Sequence, residues 1–222
     1  MYLKSVAEHS SKFIAIDTAV GVKRIDAVYK ILPLQTTWTS LQSIVPTVLS
    51  LGLIGYSAIN IGSVGGSRVP GDSFQRELYI RWLQLSAFMP VVEFDSPPGA
   101  ETNDLDIIKL NKRLMKIRVS IVLPVLLRSL QLSRDSGQPI IRPLFMLDDK
   151  ASLDIKDQFA IGDDIVVAPI VHEDRAPRDI YLPSGWWRDE LSASQLRGGK
   201  WLRNYSVPLD RVAFFTRTSA PN

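Results

Sequence analysis

Residues 43–64, SIVPTVLSLGLIGYSAINIGSV, sit inside a longer stretch, Ile31–Ser67, that holds no charged residue. A run of this length and polarity is long enough to cross a bilayer. It is equally the text of a buried helix followed by a buried parallel strand. The interior of the run separates the two. Pro46, Gly52, Gly55, Asn60, Gly62 and the serines at 43, 50, 57 and 63 weaken a single continuous helix. The Leu-Gly-Leu-Ile-Gly break reads as a helix stop with a strand beyond it. The expectation is therefore a helix beginning near Thr36, with Leu41, Ile44, Val45, Val48 and Leu49 at helical spacing, then a buried strand over Tyr56–Ile61. No membrane span is expected.

Working outward, the same alternation continues. Phe13–Ile16 has the composition of a short strand. Arg76–Ala87 predicts an amphipathic helix with Leu78, Trp82 and Leu85 on one face and Arg76, Glu77 and Arg81 elsewhere. Met89–Phe94 predicts a strand ending at Asp95. Asp106–Arg134 is the longest helical pattern, with Pro124 expected to kink or break it. Helix and short buried strand in alternation point to βα units of a parallel sheet or barrel. Past about Lys150 the texture changes to short β-type runs at 165–168, 179–182, 186–187 and 212–215. Turns are marked by Pro183-Ser184-Gly185 and Arg197-Gly198-Gly199. This predicts an antiparallel β-sandwich, with a division between residues 1–155 and 156–222.

Composition narrows the chemistry. At 222 residues, 45% hydrophobic and 22% charged, the chain can bury a sizeable core, which excludes a disordered, collagen-like or coiled-coil protein. Twenty-six basic and 23 acidic residues are mixed along it without a basic block, so nothing points to nucleic acid. The absence of cysteine removes disulfides, thiolate catalysis and Cys-ligated metals. Only His9 and His172 offer imidazole, so a multi-histidine metal site is not expected. The Gly62–Gly66 stretch fits no phosphate-binding fingerprint and reads as a tight loop at a strand end. Glu93 and Asp95 stand at the end of the expected strand, where barrels place catalytic and binding groups. Two residues apart on one strand, they are poorly placed to flank a glycosidic bond from opposite sides. Asn204-Tyr205-Ser206 is an N-glycosylation acceptor if the chain enters the secretory pathway.

The order of five segments carries a resemblance: TTWTSLQSIVPTVLSLGLIGYSAI, RELYIRWLQLSAFMPVVEF, GQPIIRPLF, QFAIGDDIVVAPIV and RDIYLPSGWWRD. In this order and spacing the chain resembles glycoside hydrolase family 31, from about Gln35 to Arg217. The resemblance implies the C-terminal part of a (β/α)8 barrel followed by an antiparallel β-sandwich. It implies a retaining α-glycosidase mechanism with two aspartates, a carbohydrate ligand and no cofactor or metal. A whole barrel of this kind takes about 250 residues, so a partial barrel is expected here, prone to self-association. A secretory or membrane-attached parent is suspected from the family.

The family's acid/base aspartate is expected a few residues before Trp38, yet Ile31–Thr37 holds no carboxylate and Asp26 lies too far upstream. No segment matches the motif of the nucleophile. Asp95 stands where a substrate-binding histidine is usual. The resemblance thus implies no identifiable catalytic residue, Trp38, Glu93 and Asp95 as remnants of the sugar pocket, and Asn204 as a glycan acceptor.

Overall fold

The computed structural model describes residues 14–16, 27–68, 71, 73–99, 102–151, 153–175 and 177–220. Phe13, His9 and Asp26 lie outside them. The first half is built on three parallel strands, β1 (Ile14–Ile16), β2 (Ala27–Lys30) and β3 (Ala58–Asn60), in the order β1-β2-β3. Ile14 pairs with Ala27, and Val28 with Ala58.

Helix α1 (Trp38–Leu53) joins β2 to β3. Thr37 caps it, its hydroxyl accepting from Ser40 N at 3.1 Å. The five apolar residues expected on one face are all buried. The helix stops as the sequence suggested. Gly55 adopts a positive φ of 104°, its N–H bonds to Gly52 O, and Tyr56 N–H reaches back to Leu51 O. That pair of bonds satisfies two carbonyls the helix end would otherwise strand, and the first turn residue needs the left-handed freedom of glycine. With sixteen residues in α1, no helix among the described residues is long and apolar enough to cross a membrane.

Helix α2 (Arg76–Ser86) buries Leu78, Trp82 and Leu85 almost completely. It differs from expectation on its other side. Arg81 is 2% exposed, and Gln84 and Ser86 are buried as well. The cause is tertiary: the segment 208–211 of the second module lies against this face. Arg81 Nη1 donates to Pro208 O and Arg211 O, and Gln84 Nε2 donates to Leu209 O at 2.7 Å.

The strand expected over Met89–Phe94 reduces to one bridge, in which Glu93 pairs in parallel with Ser63 beyond the end of β3. Pro90 has no N–H to give a ladder, and two carbonyls of the segment are already taken. Arg118 donates to Ala87 O (2.9 Å), Met89 O (2.6 Å) and Pro90 O (2.8 Å). Arg118 opens a five-residue π segment, Arg118–Val122, between α3 (Leu105–Ile117) and α4 (Leu123–Ser136). Pro124 therefore does not break the helix. The wider turn ahead of it, with Leu123 N–H on Arg118 O, accommodates the missing donor.

The second module is antiparallel. One sheet orders as β4-β5-β6-β11-β8-β9 and a second as β10-β7. The strands are β4 (Ile141–Arg142), β5 (Phe159–Ile161), β6 (Ile165–Ala168), β7 (Arg178–Leu182), β8 (Trp186–Asp189), β9 (Gln195–Arg197), β10 (Lys200–Tyr205) and β11 (Ala213–Thr218). Trp187, Phe215, Ile180 and Leu182 fill the space between the sheets. The expected β runs and both turns are present. Strand β4 precedes the 155/156 division drawn from the sequence. A two-residue strand within the three residues between Pro139 and Pro143 is too short to read until Ile141 is seen paired with Ile161.

Candidate functional site

The C-terminal ends of the parallel strands converge on one carboxylate. Lys30, the last residue of β2, donates Nζ to Glu93 Oε1 at 2.7 Å. Asn60, the last residue of β3, donates Nδ2 to Glu93 Oε2 at 2.8 Å, while its own Oδ1 accepts from Gly62 N. Ser63 Oγ lies 3.2 Å from Glu93 Oε1 and in short contact with Asp95 Oδ1. One hydroxyl proton therefore faces two carboxylates. The loop beyond β3 is pinned alongside. Val64 N–H bonds to Glu93 O, and Ser67 N–H to Leu34 O at 2.7 Å. Gly66, at φ 69°, passes so close to Leu34 O that a Cβ would stand 2.7 Å from it. This is the tight strand-end loop the sequence predicted.

The electrostatics follow from these contacts. The Lys30 ammonium first, then the Asn60 amide, hold the Glu93 carboxyl below the usual range for glutamate, against a smaller opposing effect of burial. Glu93 is thus an anion with both oxygens engaged. A general acid for glycoside cleavage needs the reverse, a carboxyl whose pKa is raised. Asp95 is exposed and has its Ser63 contact. Trp38 is half-buried in the first turn of α1 and packs against the main hydrophobic core. The structure brings Glu93 and Asp95 together through Ser63, and no hydrogen bond among the described residues joins Trp38 to them.

Lys30, Asn60 and Ser63 were not anticipated. Their shared signal is position, each being the last residue of a parallel strand or close behind it. In the sequence Asn60 reads as a residue that interrupts a helix, and Ser63 as that and as part of the tight Gly62–Gly66 loop. Lys30 follows Ala-Val-Tyr, too short a run to stand out.

Comparison with known proteins bears directly on this arrangement. The sequence profile of the glycosyl hydrolases family 31 TIM-barrel domain matches residues 9–126, and that of the glycosyl hydrolase family 31 C-terminal domain matches residues 137–220. The chain belongs to glycoside hydrolase family 31. Among its family 31 relatives, the myogenesis-regulating glycosidase of Mus musculus is 34% identical over 89% of this chain and 29% of its own length. The sulfoquinovosidase of Escherichia coli is 30% identical over 81% of this chain and 27% of its own length. A solved cycloalternan-forming enzyme of Listeria monocytogenes, in complex with a pentasaccharide substrate, superimposes with a TM-score of 0.73 at 26% identity. It covers 87% of this chain, which spans 19% of that enzyme. The chain spans under a third of the length of these relatives. Within family 31 terms, β1–β3 and α1–α3 fall inside the match to the barrel domain, and the Lys30–Asn60–Ser63–Glu93–Asp95 cluster lies at the strand ends where barrels carry their chemistry.

Proposed function

We propose that this chain contributes the sugar-holding part of a family 31 α-glycoside pocket and does not by itself carry the carboxylate pair that hydrolysis requires. The observation that carries this reading is the shared Ser63 hydroxyl. A retaining glycosidase sets its two carboxyl groups about 5–5.5 Å apart on opposite sides of the scissile bond. Glu93 and Asp95 instead meet on a single serine. Glu93 is fixed as an anion between Lys30 and Asn60, which suits a strut between strand ends better than an acid or a nucleophile. Asp95, exposed, and Trp38 are the groups left to touch a sugar. The reading favours a non-catalytic glycan-binding role for these residues over turnover.

The experiment is an assay of the 222-residue chain on aryl α-glucosides, α-galactosides and α-xylosides across the acidic to neutral range. No release of the aryl alcohol above background is expected. Turnover that disappears on Asp95→Asn overturns the reading and makes Asp95 catalytic.

Three further parts of the reading stand beside it. The division between the barrel-derived and sandwich modules, expected at 155/156 from the sequence, is proposed to fall earlier, near Gly137, which ends α4 in a left-handed conformation. Asn204, exposed and at a positive φ of 54° on an irregular part of β10, is proposed to accept an N-glycan when the chain is made in a secretory host. A mass shift removed by a glycan-releasing amidase and absent from Asn204→Gln is the measurement. The chain is also proposed to self-associate.

A further inference from the structure

The two-stranded face of the sandwich carries a cleft of about 540 Å³ that shares no residue with the strand-end cluster. Its size is that of a small-ligand site. We infer that this cleft is a second saccharide site, taking a neutral disaccharide or the end of a longer neutral glycan against Trp201. The inference goes beyond the pocket proposed above and stands whether or not that pocket binds sugar.

The lining decides the ligand class. Ile155, Ile170 and Val171 give an apolar floor, all of them buried. Trp201 forms part of the wall and remains 38% exposed. Tyr181, directly across the β7/β10 ladder, packs against it with ring centroids 5.4 Å apart and the two planes inclined by 63°. The Arg203 guanidinium lies over the same indole, 4.9 Å from the ring. The rim is made of ion pairs already closed on themselves. Arg178 bonds Asp157 at 2.8 Å and Arg203 bonds Asp179 at 2.5 Å.

Three carboxylates (Asp154, Asp157, Asp179) stand with three guanidinium groups (Arg175, Arg178, Arg203), so the acidic and arginine side chains of the lining balance in number. A phosphate or other strong anion would need surplus positive charge. A purely apolar ligand would have to desolvate the whole rim. A neutral sugar fits both constraints. Its C–H face packs on the part of the indole that Arg203 leaves exposed, and its vicinal hydroxyls suit the remaining lone pairs and N–H groups of the rim carboxylates and guanidiniums, which accept or donate in pairs.

The test follows the indole N–H signal of Trp201 by NMR in the ¹⁵N-labelled 222-residue chain, assigned with Trp201→Phe. Maltose, isomaltose, mannobiose and inorganic phosphate are titrated separately. The expected result is a saturable shift with at least one disaccharide and none with phosphate. Trp201→Ala should weaken that sugar's binding at least tenfold, measured by calorimetry. Because the side chain is partly exposed, the variant is expected to melt like the parent. If it does not, Asp179→Asn serves in its place, with an expected several-fold loss. No response to any disaccharide overturns the inference, as does a response to phosphate alone. Binding that survives Trp201→Ala but is lost on Asp95→Asn belongs to the barrel strand ends and overturns it too.

Discussion

Arg118→Met tests whether the π segment holds the chain that carries Glu93 and Asp95. The substitution keeps a long unbranched side chain and deletes three hydrogen bonds, to Ala87 O, Met89 O and Pro90 O. A hydrogen bond from a charged donor contributes about 1.5–3 kcal/mol net. Three in one guanidinium do not add in full, because they share one charge and its burial opposes them. That burial also lowers the pKa of Arg118. Discounting for both, the expected loss is about 2–4 kcal/mol, or roughly 4–16 °C in melting temperature for a chain of this size. Urea denaturation followed by tryptophan fluorescence gives the free energy directly. Arg118→Lys should recover less than half of the loss, because a point ammonium cannot span three carbonyls as a planar fork does. A loss under about 0.5 kcal/mol for Arg118→Met would refute the reasoning, and so would a lysine variant as stable as the parent.

Gly198→Ala should cost about 2 kcal/mol or more, because the added Cβ would stand 1.9 Å from Pro183 O and push that carbonyl off the Trp187 indole N–H it accepts from at 2.7 Å; a variant with an unchanged denaturation midpoint would contradict this. The depressed pKa of Glu93 makes its stabilisation complete above the ordinary glutamate range and lost as pH falls through the folded value. Glu93→Gln should therefore flatten that part of the acid limb of the stability profile, and an identical acid limb would count against the Lys30–Glu93 pair. Leu53 and Ile54, 51% and 57% exposed at the end of α1, are expected to contribute to self-association. Sedimentation should show Leu53→Lys shifting the chain toward monomer, and a monomeric parent would sink the idea.

Much of this architecture is legible in the residues. The reading of Ser43–Val64 as helix, stop and strand rests on Gly55 and on the spacing of Leu41 to Leu49, both of which act locally. The short strands β2, β4, β5 and β9 were not legible, nor was the mostly exposed β10. Two to four residues carry no period, and such strands exist only through partners far along the chain, as Ile141 does through Ile161. The burial of Arg81 is not legible for a related reason. A charged residue on an amphipathic pattern reads as solvent-facing, and only the arrival of residues 208–211 makes it buried. At the site, Glu93 and Asp95 could be named from their place before a loop. The engagement of both Glu93 oxygens could not, because it depends on Lys30 and Asn60 converging from two other strand ends.

The join between α2 and the sandwich distributes mutational freedom unevenly. Arg81 and Gln84 reach main-chain carbonyls of Pro208, Leu209 and Arg211, so no side-chain polar group is read on the far side. Residues 208–211 can drift in identity as long as the backbone keeps its path. On the helix the two positions have less latitude, because both side chains are buried and a shorter or apolar residue removes the donors that these part-buried carbonyls accept from. In a lineage descending from this chain, the two sides of the junction should therefore change at different rates. The helix would be the slow partner, even though it carries none of the residues proposed to meet a sugar.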